Sequence, residues 1–252
     1  MSSNEPAAEE SSERPLLDHL VELRTRLLRC VMVIGVIFLG LYFIRQRLYE
    51  VLAEPLQAAL PAGSNMIATE VATPFLIPLK LALFTAFFVS IPYVLYQLWA
   101  FIAPGLYRNE KRFVWPMLGS SVALFYVGMA FAYFVVFPLI FKFFAGQTGD
   151  DISMMTDISA YLSFVLMLFF AFGAAFEVPI VTILLVRTGI TTRQALAAKR
   201  PYVIVGAFAV GMLLTPPDVL SQVLLAIPIW LLYELGILLS GLFAPSSGEA
   251  AD

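Results

Sequence analysis

The chain has 252 residues, of which 60% are hydrophobic, 14% aromatic and only 13% charged, with a formal net charge of −3. Soluble domains run near 45–50% apolar with about a quarter of their residues charged, and a globule of this size has too much surface to hide the excess. Together with a mean hydropathy of +0.88, this excludes an ordinary soluble enzyme, a nucleic-acid binder and a disordered chain, and predicts a polytopic membrane protein.

The first element in chain order is an amphipathic helix over 14–29 (RPLLDHLVELRTRLLR). Leu16, Leu20, Leu23 and Leu27 recur at helical spacing on one face, while Asp18, Glu22, Arg26 and Arg29 line the other. Glu22 has two readings here: an i,i+4 ion pair with Arg26 on a surface-lying helix, or a recognition carboxylate.

Six apolar runs follow, at 29–44, 74–102, 113–143, 160–186, 201–215 and 218–243. Thr73 before Pro74 reads as an N-cap with proline in the first turn, and Asp218 after Pro216–Pro217 as another. Span five has room for about 15 residues, about 22 Å against a hydrocarbon core of roughly 30 Å. Span six is interrupted by Pro228 and Glu234 and also reads as short; Pro92, Pro138 and Pro179 bend other spans. No N-terminal signal sequence is expected, since the first apolar run follows an acidic tail and lacks a small-residue cleavage site.

Six spans put both termini on one side. Arg14, Arg24, Arg26, Arg29, Arg108, Lys111, Arg112, Arg187, Arg193, Lys199 and Arg200 fall on that side, and only Arg45, Arg47 and Lys142 on the other. The excess of cations predicts cytoplasmic termini. Lys80, about two turns into span two, is placed to snorkel outward. The expected organisation is a cytoplasmic tail and amphipathic helix at 1–28, a six-span membrane domain at 29–243, and a disordered cytoplasmic tail at 244–252. No internal repeat links the two halves, which weighs against inverted-repeat transporters.

Scarcity excludes several chemistries. One cysteine, Cys30, cannot make an intrachain disulfide or a thiolate metal site. One histidine, His19, lies in the polar N-terminal part and cannot build a zinc protease or a Ser–His dyad at membrane depth. No phosphate-cradling loop is present. No catalytic residues, metal or cofactor are expected.

Four other carboxylates stand out. Glu110 sits in the loop APGLYRNEKR among three cations, either as a solvated charge or, beside Glu22, as half of a site for paired guanidinium groups. Glu177 lies in an apolar run two residues before Pro179, where an ionisable group costs about 2.5–3.5 kcal/mol. It is either a neutral acid bonded to backbone freed by the kink or a functional polar spot. Asp218 is either a plain cap or part of an external polar cluster with Gln222, which can bond across helices to a partner span. Glu234 reads as interfacial or as a further intramembrane acid. A small-solute transporter or proton channel using Glu177 and Glu234 as a relay is the competing reading.

Several stretches are specific: HLVELRTRLL at 19–28, EPL around Pro55, TPFLIPLK at 73–80, YQLWAFIAPGLYRNEKR at 96–112, GMAFAYFVVFP at 128–138, DISAYLSF at 157–164, FEVP at 176–179, KRPYVIVGAF at 199–208 and GMLLTPPDVLSQ at 211–222. In these the chain strongly resembles the TatC family, the multi-span subunit of the twin-arginine protein translocase of bacteria. The resemblance implies an all-α, curved, glove-like scaffold of six membrane helices in the bacterial cytoplasmic (inner) membrane. It implies binding of the twin-arginine signal peptides of folded precursors, and export driven by the proton motive force. Partners would be small single-span subunits of the TatA and TatB type and other copies of the chain. Glu22 and Glu110 match the twin-arginine-binding carboxylates, with Arg24 and Phe101 in the same surface, and Glu177 matches an intramembrane glutamate on the concave side. Pro55, Asp218 and Gln222 match external positions tied to function or partner contact; Met212, Leu213 and Thr215 match a partner-docking region. Gly105, and Asn109 where His is frequent, are minor departures.

Overall fold

The computed structural model describes residues 6–48, 67–102, 111–140, 157–214 and 219–242. Its elements are α1 (Pro6–Phe43), α2 (Thr73–Ile102), α3 (Lys111–Phe131) continued by a π-helical turn (Ala132–Val136), α4 (Ile158–Ala175), α5 (Val178–Arg187), α6 (Arg193–Ala198), α7 (Arg200–Leu214) and α8 (Val219–Leu242). Five segments are long and apolar enough to cross a membrane: His19–Phe43, Thr73–Ile102, Trp115–Ile140, Ile158–Arg187 and Gln222–Gly241; the apolar helix Arg200–Leu213 is a shorter sixth. The fold is all-α with six apolar helices, as the hydropathy pattern predicts.

Three local details differ from expectation. The amphipathic stretch and the first span form one unbroken helix, because no Gly or Pro stands between Leu16 and Ile34 to end it. Thr73 does not cap α2: it is the helix's first residue, its hydroxyl is buried with no partner among the described residues, and the amides of Phe75 and Leu76 bond instead to the carbonyl of Ala72. The sixth span is not short; α8 runs 24 residues with Pro228 inside it. A proline removes one backbone donor and bends a helix that neighbours hold, without having to end it. Span five is short, at 15 residues.

The chain divides into two compact units, one of residues 1–50 and 78–114 and one of residues 51–77 and 115–252. In the first, α1 lies beside the C-terminal half of α2, joined by polar contacts described below. The second is held by close helix approach at glycines. A methyl group at Gly128 of α3 would lie 2.5 Å from the carbonyl oxygen of Phe172 in α4, and one at Gly173 of α4 would lie 2.6 Å from the Phe125 ring. Gly236 of α8 sits directly under the Thr182 side chain and the backbone of Pro179 in α5, and a methyl group at Gly211 of α7 would lie 3.4 Å from the carbonyl oxygen of Gln222 in α8. Lipid is as apolar as leucine, so membrane helices gain from such small-residue contacts what soluble helices gain from burying oil away from water.

Between these seams, Ala132, Val136, Ile140, Leu168, Phe172 and Leu225 form a buried core ringed by Phe131, Phe164, Phe169 and Phe176. The π turn ends where the Phe137 amide bonds the Ala132 carbonyl, one residue wider than an α turn. Pro138 follows at once and has no amide to donate, so a locally widened turn fits the ring at little loss.

At the start of α4, Asp157 caps the helix by accepting from the Ala160 amide at 2.9 Å. The same carboxylate accepts from the Thr69 amide at 3.1 Å and its hydroxyl at 2.5 Å, while the Ile158 amide bonds the Ile67 carbonyl at 3.1 Å. This clasp ties the segment before α2 to the start of α4 within one unit. The Thr69 hydroxyl, with help from the backbone amides, holds the Asp157 carboxyl down at about 2 from an ordinary 3.8. A lowered folded-state pKa gives stability that is complete above the unfolded value and is lost as pH falls through the folded one. Two outcomes are expected. The protection of the Thr69 and Ala160 amides against exchange, relative to the unfolded chain at the same pH, stays high down to about pH 4 and falls toward pH 2, whereas Asp157→Ala lowers it at neutral pH. Gly128→Ala lowers stability in detergent by about 1–3 kcal/mol through overpacking, whereas Gly119→Ala, where nothing lies within 4 Å, is neutral or better, and thermal unfolding of both checks the pair.

Candidate functional site

The polar groups of the first unit gather where α1 passes α2. Glu22 and Arg26 are one helical turn apart, and Arg26 donates from Nε and Nη2 to Glu22 Oε1 at 2.9 and 2.6 Å. Arg26 Nη1 donates to Gln97 Oε1 of α2 at 3.0 Å, and Gln97 Nε2 donates in turn to the Tyr93 hydroxyl oxygen at 2.7 Å. Gln97 is buried. His19 stacks on Phe101 with ring centroids 4.1 Å apart and planes 20° apart. Its Nδ1 lies 3.9 Å from Glu22 Oε2. The structure thus brings Glu22 and Phe101 together, through His19, at one end of the α1–α2 pair. The ion pair that helical spacing predicts for Glu22 is present. Arg24 is exposed, and at about 100° per residue it lies roughly 200° around α1 from Glu22. Glu110 lies outside the described residues, as do Pro55, Thr215 and Asp218.

The second unit holds Glu177 at the joint between α4 and α5. Its amide bonds the Ala174 carbonyl at 3.1 Å, its carbonyl accepts from Val181 at 3.0 Å, and Pro179 stands in the first turn of α5. Among the described residues no hydrogen bond joins the carboxyl to backbone freed by the kink. The carboxyl accepts a hydrogen bond from the fully buried Ser121 of α3. Its Oε1 is buried with no partner among the described residues. In a medium that cannot supply hydrogen bonds such an atom is costly.

At the other end of the unit, Arg200 opens α7 and reaches Glu234 of α8. Nε donates to Oε1 at 2.6 Å and Nη2 to Oε2 at 2.7 Å, a two-pronged pair. The Tyr233 hydroxyl donates to the Leu196 carbonyl of α6 at 2.8 Å. The pairing sets Glu234 at the level of a helix start and supports its interfacial reading. On α7, Met212 and Leu213 are exposed, and Gln222 is half-buried in α8 with its backbone against Gly211. Among the described residues no three His, Cys, Asp or Glu side chains come together as a metal site.

Reasoning from sequence passed over Gln97, Tyr93, Ser121 and Asp157. Each is an ordinary polar residue in its own stretch, and only long-range pairing singles it out. Asp157 had a local signal, because an acid directly before an apolar run is an N-cap pattern.

The profile of the family described as TatC, Sec-independent protein translocase protein, matches residues 18–228. The chain belongs to the TatC family. The Sec-independent protein translocase protein TatC of Haemophilus influenzae is 56% identical over 238 residues, covering 94% of this chain and 93% of that one. That of Escherichia coli K12 is 55% identical over 227 residues, covering 90% and 88%. A crystal structure of the twin-arginine translocase receptor TatC superposes with a TM-score of 0.81 at 40% identity, covering 89% of this chain and 99% of that one. The chain is therefore a multi-pass membrane protein of a family of translocase components, and not an enzyme.

Exchange of Arg200 and Glu234 tests their pairing. Arg200→Glu and Glu234→Arg each lower the unfolding temperature in detergent and increase protease cleavage around α7, and the double exchange restores both.

Proposed function

We propose that this chain is the receptor and scaffold subunit of a twin-arginine protein translocase. It sits in the bacterial cytoplasmic membrane with both termini in the cytoplasm. It binds the twin-arginine signal peptides of folded precursors and gathers small single-span subunits of the TatA and TatB type, and further copies of itself, for export driven by the proton motive force. The observation that carries this reading is the grouping of Glu22 with Phe101 at one end of α1 and α2. A carboxylate beside an aromatic ring suits a guanidinium, which donates planar hydrogen bonds from its edge and stacks on its face.

In this reading Glu22 and Glu110 take one arginine each, with Phe101 as the stacking wall and Arg24 on the flank. Exposed pairs of this kind are worth about 0.2–1 kcal/mol singly, so two acting together supply selectivity more than strength. The apolar part of the signal then runs along the spans toward Glu177, whose buried Oε1 suits a donor brought by a partner helix. Met212, Leu213 and Thr215 present α7 to a small subunit. Pro55, Asp218 and Gln222 act at the external end of the spans.

Binding of a fluorescent twin-arginine signal peptide to membranes holding the full chain and its small subunits tests this. Glu22→Gln and Glu110→Gln each weaken binding about threefold to tenfold, and the double change abolishes it. Unchanged binding in the double variant would end the reading. For Glu177, Glu177→Leu keeps peptide binding and loses transport at normal abundance; full transport would return it to a structural role.

A further inference from the structure

Glu22 does not present a bare carboxylate. Arg26 takes Oε1 twice over and is itself held by Gln97, which is held by Tyr93, so a chain of four side chains runs from the buried side of α2 to the exposed edge of α1. Arg26 has about a fifth of its side chain exposed and Glu22 about a third, 20% and 36%. Two roles are open to such an arginine. It can be a competitor that a ligand arginine must evict, or a fixed brace that decides how Glu22 is offered.

The bonding decides between them. Leaving Glu22 would strip Arg26 of two bonds and strand it on Gln97 alone. Leaving both partners would orphan the buried Gln97 carbonyl, which costs its desolvation. Nothing requires that move, because Glu22 Oε2 takes no hydrogen bond from Arg26 and faces the His19–Phe101 stack. We infer that Arg26 is a positioning residue that makes Glu22 selective for arginine over lysine, an inference that rests on Glu22 being a ligand carboxylate.

The selectivity follows from what Arg26 removes and what it leaves. Its charge cancels most of the Glu22 monopole, so a compact, strongly hydrated ammonium gains little by approaching. Its grip on Oε1 fixes the carboxylate plane, so Oε2 is held in one direction against an aromatic wall. A guanidinium is weakly hydrated, planar and directional, and profits from that fixed geometry. Without Arg26, Glu22 becomes a mobile full charge that either cation satisfies.

The experiment compares signal peptides with Arg-Arg and Lys-Lys pairs, binding to membranes holding the full chain and its small subunits. Arg26→Gln is expected to narrow the Arg-Arg over Lys-Lys preference at least about fivefold, mainly by improving Lys-Lys binding. Arg26→Lys restores part of it. Gln97→Leu, which keeps Arg26 but frees it from α2, narrows the preference by less and serves as the test should Arg26→Gln not fold. An unchanged ratio in both Arg26→Gln and Gln97→Leu would overturn the inference. So would tighter Arg-Arg binding in Arg26→Gln, which would make Arg26 a competitor. Loss of binding in proportion for both peptides would leave only a structural role and would equally overturn it. If Glu22→Gln changes neither peptide, the fault lies with the reading of Glu22 as a ligand and not with Arg26.

Discussion

Hydrocarbon offers no hydrogen bonds, and in this chain each described polar group has to be read against that. A buried amide, hydroxyl or carboxyl that water would satisfy for free must here be answered by another part of the protein. The consequence is a small number of well-defined polar chains. Tyr93, Gln97, Arg26 and Glu22 form one across α1 and α2. Arg200 with Glu234, and Tyr233 with the Leu196 carbonyl, tie α6, α7 and α8. Ser121 answers one side of Glu177, while Glu177 Oε1 and the Thr73 hydroxyl are buried with no partner among the described residues.

The same solvent explains the glycines. Between membrane helices there is no reward for burying apolar surface as such, so contact quality decides where they meet. Gly128, Gly173 and Gly236 let α3, α4, α5 and α8 approach to backbone distance. Those seams surround Glu177, whose helix joint is also where Pro179 interrupts the backbone ladder. Glu177 thus sits among these close helix approaches, where a displaced helix would open a void and not simply slide.

Much of the architecture was legible because it rests on local signals. Six apolar runs, the short fifth span and the 4-3-4 leucine stripe of α1 need only hydropathy and period to be read. What local rules misjudged were breaks. Pro228 and Glu234 suggested an interrupted sixth span, yet neighbours hold α8 through Pro228, and Arg200, distant in sequence, meets Glu234. Thr73 had the chemistry of a cap but is turned inward. Glu22 was legible as a candidate from its place on the helix and Phe101 only through family resemblance; the stack of His19 that joins them depends on the approach of two helices far apart in the chain. Ser121 and Gln97 carried no signal at all, since a serine or glutamine within an apolar run says nothing about which acid or arginine it will meet.

The short α7 has an effect that reaches beyond the protein. Its 15 residues reach about 22 Å along the axis, about 8 Å less than an ordinary hydrocarbon core. Lipids beside it must compress or tilt, at a cost of fractions of a kcal/mol for each ångström of mismatch. That strain is a property of the lipid annulus and falls when two deformed annuli merge. Copies of the chain, or any other span equally short, therefore experience an attraction transmitted by the bilayer itself. It acts before any side chains touch and fades in thin membranes.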